Sequence, residues 1–111
     1  TKGFGLENLN LQRTERGSIV VNGQMESSLP GVYVCGDLTG FSLLAHTAVR
    51  EAEVAVHAIL GKEDRMSYVA IPGVVYTNPE IAGVGQTEES LTAKGLPCRK
   101  TSHGIFRTFC C

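Results

Sequence analysis

One short segment constrains the fold of this chain more than any other. Val32–Cys35 is apolar on both faces of an extended chain, follows the turn signal Leu29-Pro30-Gly31 and is stopped by Gly36-Asp37. A run of this kind is typical of a fully buried, parallel strand, because only a strand covered on both faces loses the alternation of apolar and polar residues. We therefore expect a layered core around this segment.

A helix is predicted directly after that segment. Between Leu43 and Leu60, apolar residues recur at spacings of three and four, and Gly61 stands where a glycine commonly ends a helix. The β-branched run Ser18–Val21 predicts one further short strand. The loop and helix that follow the buried strand make the first part of the chain a strand-loop-helix unit.

The sequence predicts that the second half of the chain is a separate structural unit. A charged connector, Lys62–Met66, precedes two apolar runs, Ile71–Tyr76 and Ile81–Gly85, which predict a hairpin. Thr87 is placed to cap a short helix that ends at Lys94-Gly95. The predicted fold class is α+β, with the end of an α/β domain joined to the first hairpin and helix of another domain.

Composition narrows the classes of function. The chain has 111 residues and a net charge of −1, which gives no basic surface for nucleic acid. No run of about 18 apolar residues is present, so we expect no membrane span. The four cysteines, at positions 35, 98, 110 and 111, form no metal-ligand spacing. We expect reduced thiols and a cytoplasmic location.

Asp37 is the main candidate for ligand binding. In open α/β sheets, ligands bind beyond the carboxyl ends of the strands, and an aspartate there can accept hydrogen bonds from a ligand hydroxyl. The predicted helix start near Leu43–His46 is expected to present backbone N–H groups and the positive end of the helix dipole. The alternative is that Asp37 only caps the loop, and the residue pattern leaves both interpretations open.

Three segments together resemble a known family. Leu29–Asp37 resembles the second flavin-binding motif of the pyridine nucleotide-disulfide oxidoreductases. Leu43–His46 and Ile71–Glu88 are more similar to dihydrolipoamide dehydrogenases than to glutathione reductases. The resemblance runs from about Gly5 to about Lys100, and as a set these motifs are highly specific.

The resemblance implies a role for each matching residue. Asp37 would bind the ribityl chain of FAD, and Leu43, Leu44, Ala45 and His46 would lie beside the isoalloxazine ring. Residues 1–66 would be the C-terminal part of an FAD-binding domain, and residues 67–99 the start of the interface domain that forms the homodimer. The parent enzyme that the resemblance to dihydrolipoamide dehydrogenases implies would pass electrons from dihydrolipoamide through a cysteine pair and FAD to NAD, and would serve 2-oxo acid dehydrogenase complexes.

Several functional parts of the family are missing from the 111 residues. The sequence holds no Gly-x-Gly-x-x-Gly motif for either dinucleotide and no Cys-x-x-x-x-Cys redox pair. The acid–base His-Glu pair of the family is also missing; His46 matches a flavin-side position, and His57 reads as a surface residue. We therefore expect a truncated piece that is inactive alone, has no catalytic residue of its own and binds FAD weakly or not at all.

The tail, residues 100–111, departs from the family pattern. One permitted back-translation, read one base later, gives Lys-Leu-Pro-Met-Ala-Tyr-Ser-Gly-Arg-Phe-Val, which resembles the usual continuation of the family. The hypothesis is an out-of-frame tail; the alternative is a divergent tail with its own role, such as a thiol or metal site at Cys110-Cys111. An interface hairpin without its further strands leaves an unpaired edge, which predicts self-association, as a homodimer or a swapped oligomer.

Two other functions stay open. A mercuric reductase-like relative would keep the same scaffold and change the substrate. A non-catalytic dimerisation module would bind a protein partner without flavin.

Overall fold

The computed structural model describes residues 3–102 and 108–110, and side chains as far as residue 99. The chain divides into two compact units, Thr1–Tyr68 and Val69–Cys111, which are described separately. Helices and short strands occur in separate segments, as the α+β prediction requires. The elements, in chain order, are a 3-10 turn at Leu6–Asn8, a second 3-10 turn at Gly36–Thr39, helix α1 (Ala45–Ile59), strands β1 (Gly73–Val75) and β2 (Ile81–Gly83), helix α2 (Glu88–Ala93), and strands β3 (Lys100–Ser102) and β4 (Thr108–Cys110).

The first unit contains bridges in place of the predicted strands. Isolated antiparallel bridges join Arg13 to Ile19, Val21 to Ser27 and Glu26 to Tyr33. The prediction of a fully buried parallel strand at Val32–Cys35 is therefore wrong for this structure. A parallel strand needs at least one neighbour that runs in the same direction, and among the described residues this run pairs through one antiparallel bridge, between Glu26 and Tyr33.

Two small apolar clusters form the core of the first unit. Leu11, Ile19 and Val34 make one, and Met25, Val54 and Ala55 make the other, so α1 supplies two of the six buried residues. Fully burying a side chain of this size is worth about 1.5–3 kcal/mol. The second cluster therefore fixes α1 on the bridged segments.

The end of α1 follows the sequence signal closely. The predicted helix, Leu43–Leu60, is observed as Ala45–Ile59. Gly61 has a φ of 68°, in the left-handed region. Its N–H donates to Ala58 O at 3.0 Å, and the N–H of Lys62 donates to His57 O at 2.9 Å. This pair of bonds is a Schellman motif, in which a glycine satisfies the last carbonyl groups of a helix.

The second unit also matches its predicted elements. β1 and β2 pair antiparallel with Val74 opposite Ala82, which confirms the hairpin. The Thr87 hydroxyl accepts a hydrogen bond from Ser90 N at 3.2 Å, which confirms the predicted cap of α2. Gly95, with a φ of 67°, follows the last residues of α2. The apolar side chains of this hairpin remain exposed.

Cysteine pairing differs from the prediction at one position. Cys35 is a free, exposed thiol, whereas Cys98 is bonded in a disulfide. The prediction of reduced thiols is therefore wrong for Cys98, because pairing depends on which cysteines the fold brings together and not on their spacing along the chain. Of the predicted out-of-frame tail, residues 103–107 and Cys111 lie outside the described residues.

Two further kinds of feature are absent from the described part of the chain. None of its helices combines the length and the hydropathy that crossing a bilayer requires. Within the same residues, no three His, Cys, Asp or Glu side chains are grouped as a metal site would need.

Candidate flavin-facing site

The Gly36–Thr39 turn carries Asp37, the main predicted ligand residue. Gly36 opens the turn with a φ of 74°, and a Cβ built there would lie 3.5 Å from Ala48 Cβ of α1. Gly40 closes it with a φ of 72° and donates its N–H to Asp37 O at 3.2 Å. A Cβ at Gly40 would collide with the Ser18 hydroxyl, so only glycine fits there. The turn is thus tightly packed on its inner side.

The Asp37 side chain lies on the outer side of the same turn. It is exposed. Hydrogen bonds within the turn use the Asp37 backbone carbonyl, and in the part of the chain that the structure describes no protein group bonds the carboxylate. The Asp37 carboxylate therefore keeps its acceptor capacity for a ligand.

A buried glutamate on α1 holds this turn. Glu51 is 0% exposed, and among the residues described it is the one carboxylate that is fully buried. Its Oε2 accepts the Gly36 N–H at 2.5 Å, and its Oε1 lies 3.3 Å from the Thr39 hydroxyl. That hydroxyl also lies 2.9 Å from Gly36 O, and its single hydrogen can serve only one of these acceptors at a time. Glu51 therefore bonds α1 to the start of the turn at Gly36 and lies against its end at Thr39.

Tyr68 completes the set of donors around Glu51. Its hydroxyl donates to Glu51 Oε1 at 2.7 Å, and its ring stacks on Phe41 with 4.7 Å between centroids. Burial raises the pKa of the Tyr68 phenol above its ordinary value, and the hydrogen bond to Glu51 and the Glu51 charge raise it further. Tyr68 therefore keeps its proton and donates a hydrogen bond to Glu51 across the physiological pH range.

The start of α1 forms the other half of the predicted site. Leu44 precedes the helix in an extended conformation and provides no side-chain cap. Ala45 and His46 are the first two helical residues, and Leu43 is 72% exposed. Just beyond them, the hydroxyl groups of Ser42 and Thr47 lie 3.0 Å apart. The backbone at the helix start therefore has no capping side chain from Leu44 to compete with a ligand.

The structure brings the predicted residues together only in part. The turn that carries Asp37 packs on α1 at Gly36 and Ala48, and Leu43–His46 lead into that same helix. No hydrogen bond joins the Asp37 side chain to Leu43, Leu44 or Ala45 in the described structure. The turn that carries Asp37 and the helix start are therefore both attached to α1, without a hydrogen bond from the Asp37 side chain between them.

Sequence reasoning missed Glu51 and Tyr68. A signal for Glu51 exists, because it falls at helical spacing on the buried stripe that also holds Thr47 and Ala55. A glutamate on such a stripe needs a buried partner. Tyr68 carries no local signal, since only the fold brings it to Glu51.

A second charged cluster joins α1 to the connector. The Arg50 guanidinium donates two hydrogen bonds to the Asp64 carboxylate, at 2.6 and 2.9 Å, and His57 Nδ1 lies 2.7 Å from the same group. The hydrogen bonds from Arg50, and then from His57, hold the pKa of Asp64 well below its ordinary value of 3.8. His57, predicted to be a surface residue, is half-buried and pairs with Asp64. This cluster holds the connector residue Asp64 against the outer side of α1.

Comparisons with known proteins give the family. The model for pyridine nucleotide-disulphide oxidoreductases matches residues 1–52, and the model for the dimerisation domain of the same family matches residues 71–108. The second match continues past Lys100, the residue after which the resemblance was expected to end.

Individual relatives agree with both family matches. A dihydrolipoyl dehydrogenase of Thermus scotoductus is 47% identical over 95 residues, which is 86% of this chain and 20% of the relative. The mitochondrial dihydrolipoyl dehydrogenase 1 of Arabidopsis thaliana is 41% identical over 99 residues, covering 89% of this chain and 20% of the relative. The crystal structure of LpdA from Mycobacterium tuberculosis superposes with a TM-score of 0.78 at 28% identity, covering 91% of this chain and 22% of that one.

The chain belongs to the pyridine nucleotide-disulphide oxidoreductase family. Within that family it is similar to the dihydrolipoyl dehydrogenases, which confirms the resemblance inferred from the sequence. It spans about a fifth of the length of the curated relatives it matches.

The residues at this site fit the flavin half of FAD, the cofactor of the family. A ribityl chain is a row of hydroxyl donors, which suits the exposed and unpartnered Asp37 carboxylate. The oxygen and nitrogen atoms at the edge of the flavin ring are acceptors and carry negative charge when reduced, which suits a helix start. Leu43, exposed beside that helix start, offers apolar surface for a ring.

Replacement of Glu51 by glutamine tests the environment of Tyr68. The glutamine side chain would keep an acceptor oxygen but remove the negative charge, which is one cause of the raised phenol pKa. Burial, the larger cause, would remain. We therefore expect Tyr68 in Glu51→Gln to ionise at a lower pH than in the parent chain, while its pKa stays above the ordinary value of 10.0.

The measurement is near-ultraviolet absorbance of tyrosinate as the pH is raised. Tyr68→Phe, in both backgrounds, assigns the step that belongs to Tyr68. An identical Tyr68 midpoint with and without the Glu51 charge would contradict the described contact.

Proposed function

We propose that this chain carries the flavin-facing segment of an FAD-dependent oxidoreductase of the dihydrolipoamide dehydrogenase type. The reaction would oxidise dihydrolipoamide to lipoamide and reduce NAD⁺ to NADH with release of one proton. The observation that carries the proposal is the exposed Asp37 carboxylate without a protein partner, on a turn that is packed against α1. The similarity to dihydrolipoyl dehydrogenases supports the choice of substrate class.

Each residue of the site would have a distinct task. The Asp37 carboxylate would accept hydrogen bonds from ribityl hydroxyls and so orient the flavin. The positive end of the α1 dipole, at the helix start Ala45, would stabilise negative charge at the edge of the ring. Leu43 and Leu44 would exclude water from one side of the ring. FAD, when bound, supplies a two-electron carrier between the thiol pair of the family and NAD.

The binding energy available to the chain alone is small. Hydrogen bonds to charged groups are worth about 1.5–3 kcal/mol each, whereas a dissociation constant of about 1 mM already requires about 4 kcal/mol. The sequence contains no glycine-rich dinucleotide motif to add contacts to the adenylate half. We therefore expect a dissociation constant for flavin of about 1 mM or more, and no gain in affinity from the adenylate half of FAD.

A flavin titration followed by nuclear magnetic resonance tests this proposal. FAD and riboflavin 5′-phosphate are expected to shift the amide signals of Asp37 and of residues 43–46, and AMP is expected not to. Asp37→Asn should weaken flavin binding about tenfold, because it replaces a charged acceptor by a neutral one. Glu53→Gln, on the exposed face of α1, is the matched control and should bind as the parent does.

Two outcomes would contradict the proposal. One is the lack of any shift at Asp37 and residues 43–46 at flavin concentrations of about 1 mM, where such affinity must be visible. The other is an Asp37→Asn chain that binds flavin as well as the parent.

We infer that the second unit gives the chain a second role, self-association. The match to the dimerisation domain over residues 71–108 supports this role. The hairpin exposes apolar side chains that include Tyr76 (83% exposed) and Ile81 (65% exposed). Exposed apolar groups on a short hairpin are typical of surfaces that a partner covers. The homodimer of the family is the simplest such arrangement.

Sedimentation velocity over a range of concentrations tests the second role. The parent chain should associate, and Tyr76→Ser should weaken association by about tenfold or more, as removal of an aromatic anchor does. Phe4→Ser is the matched control, because Phe4 is an equally exposed aromatic residue (85%) in the first unit. A parent chain that stays monomeric at every concentration would contradict this role.

A further inference from the structure

The role of the buried Glu51 carboxylate extends beyond packing, because it is the most enclosed charged group among the described residues of the first unit. It is fully buried and lies at 2.5 Å from Gly36 N and 2.7 Å from the Tyr68 hydroxyl. Each of its oxygens faces a different donor: Oε2 faces the backbone of the turn, and Oε1 faces two hydroxyl groups. A buried carboxylate is tolerated only when such partners satisfy it.

The geometry of the turn limits how Asp37 can be held. Gly36 precedes Asp37 in the chain, and its backbone N–H is the donor to Glu51. Thr39, two residues after Asp37, is buried and lies against the other oxygen of the same carboxylate. Asp37 therefore stands at the outer side of a loop whose two ends meet one side chain of α1.

We propose that Glu51 is a positioning residue for the flavin-facing site: it fixes the Gly36–Thr39 turn on α1 and thereby sets where the Asp37 carboxylate stands relative to the helix start. This proposal rests on the proposed function for its ligand. Glu51 does not touch the ligand, since it is fully enclosed by protein. Tyr68 supports Glu51 by donating to Oε1 and by stacking on Phe41, which keeps the carboxylate directed at the turn.

The proposal explains why the residue is a glutamate. A glutamine would offer one acceptor oxygen and one amide donor, so the Gly36 N–H and the two hydroxyl groups would no longer share two acceptors. A leucine would offer no acceptor, and the Gly36 N–H would lose its partner. The turn should therefore be held most firmly in the parent chain, less firmly in Glu51→Gln and least firmly in Glu51→Leu.

Amide hydrogen exchange at Gly36 tests the positioning itself, without any ligand. In the full chain, Glu51→Gln should accelerate exchange of the Gly36 N–H by a few fold and Glu51→Leu by about tenfold or more. Glu53→Gln and Glu53→Leu, made on the exposed face of the same helix, should leave it unchanged. Amide signals of α1 residues report whether each variant still folds, and Tyr68→Phe gives a milder perturbation of the same carboxylate.

A double-mutant cycle separates positioning from a general loss of stability. If Glu51 acts through Asp37, Glu51→Gln weakens flavin binding several-fold in the parent chain and has no further effect in Asp37→Asn. Equal losses in both backgrounds would overturn the proposal. So would Gly36 exchange that is unchanged in both Glu51→Leu and Tyr68→Phe.

Failure of the proposed function would look different. In that case the parent chain shows no flavin shifts, while Gly36 exchange still responds to the Glu51 series and supports the positioning of the turn. The exchange measurement therefore decides the role of Glu51 in the turn, and the titration decides the ligand.

Discussion

The first unit depends on one buried negative charge. A fully enclosed carboxylate is unfavourable unless hydrogen-bond donors surround it. Removing the partners of a buried charged group typically lowers the free energy of unfolding by several kcal/mol. Glu51 meets this requirement with a backbone N–H from one segment and a phenol from another, 15 residues before it and 17 after it in the chain. The two hydrogen bonds to Glu51 therefore fix three segments relative to one another: α1, the segment around Tyr68 and the turn that carries Asp37.

Helix α1 is the element through which this constraint spreads. Its inner face carries Val54 and Ala55 of the core, and Glu51 lies on that face as well. Its outer side holds Arg50, which binds Asp64 of the connector through two hydrogen bonds. The connector then returns to the core, where the N–H of Met66 donates to Gly23 O at 2.8 Å. The turn, the core and the connector are therefore all positioned by one helix.

Sequence patterns predict the elements whose signals are local. Gly61 marks where α1 ends and Thr87 marks where α2 begins. Both signals are local, because a left-handed glycine and a capping hydroxyl act within one turn of the helix. The prediction of a parallel strand at Val32–Cys35 is wrong, because pairing depends on neighbours that its own residues do not specify. Of the candidate site, the motif predicts Asp37 and the helix start but not Glu51, since a helical glutamate is usually exposed. The burial of Glu51 follows from partners that are distant in the chain.

The hydrogen bond between Gly36 and Glu51 can be observed directly. A long-range HNCO experiment on isotope-labelled chain detects the scalar coupling that crosses a hydrogen bond, and the Ala48 N–H to Leu44 O bond of α1, at 3.0 Å, provides the reference signal. We expect a cross-peak between Gly36 ¹⁵N and Glu51 ¹³Cδ that disappears in Glu51→Leu. If the Ala48 cross-peak is present and the Gly36 cross-peak is not, the buried carboxylate does not hold the turn, and the account of this site is wrong.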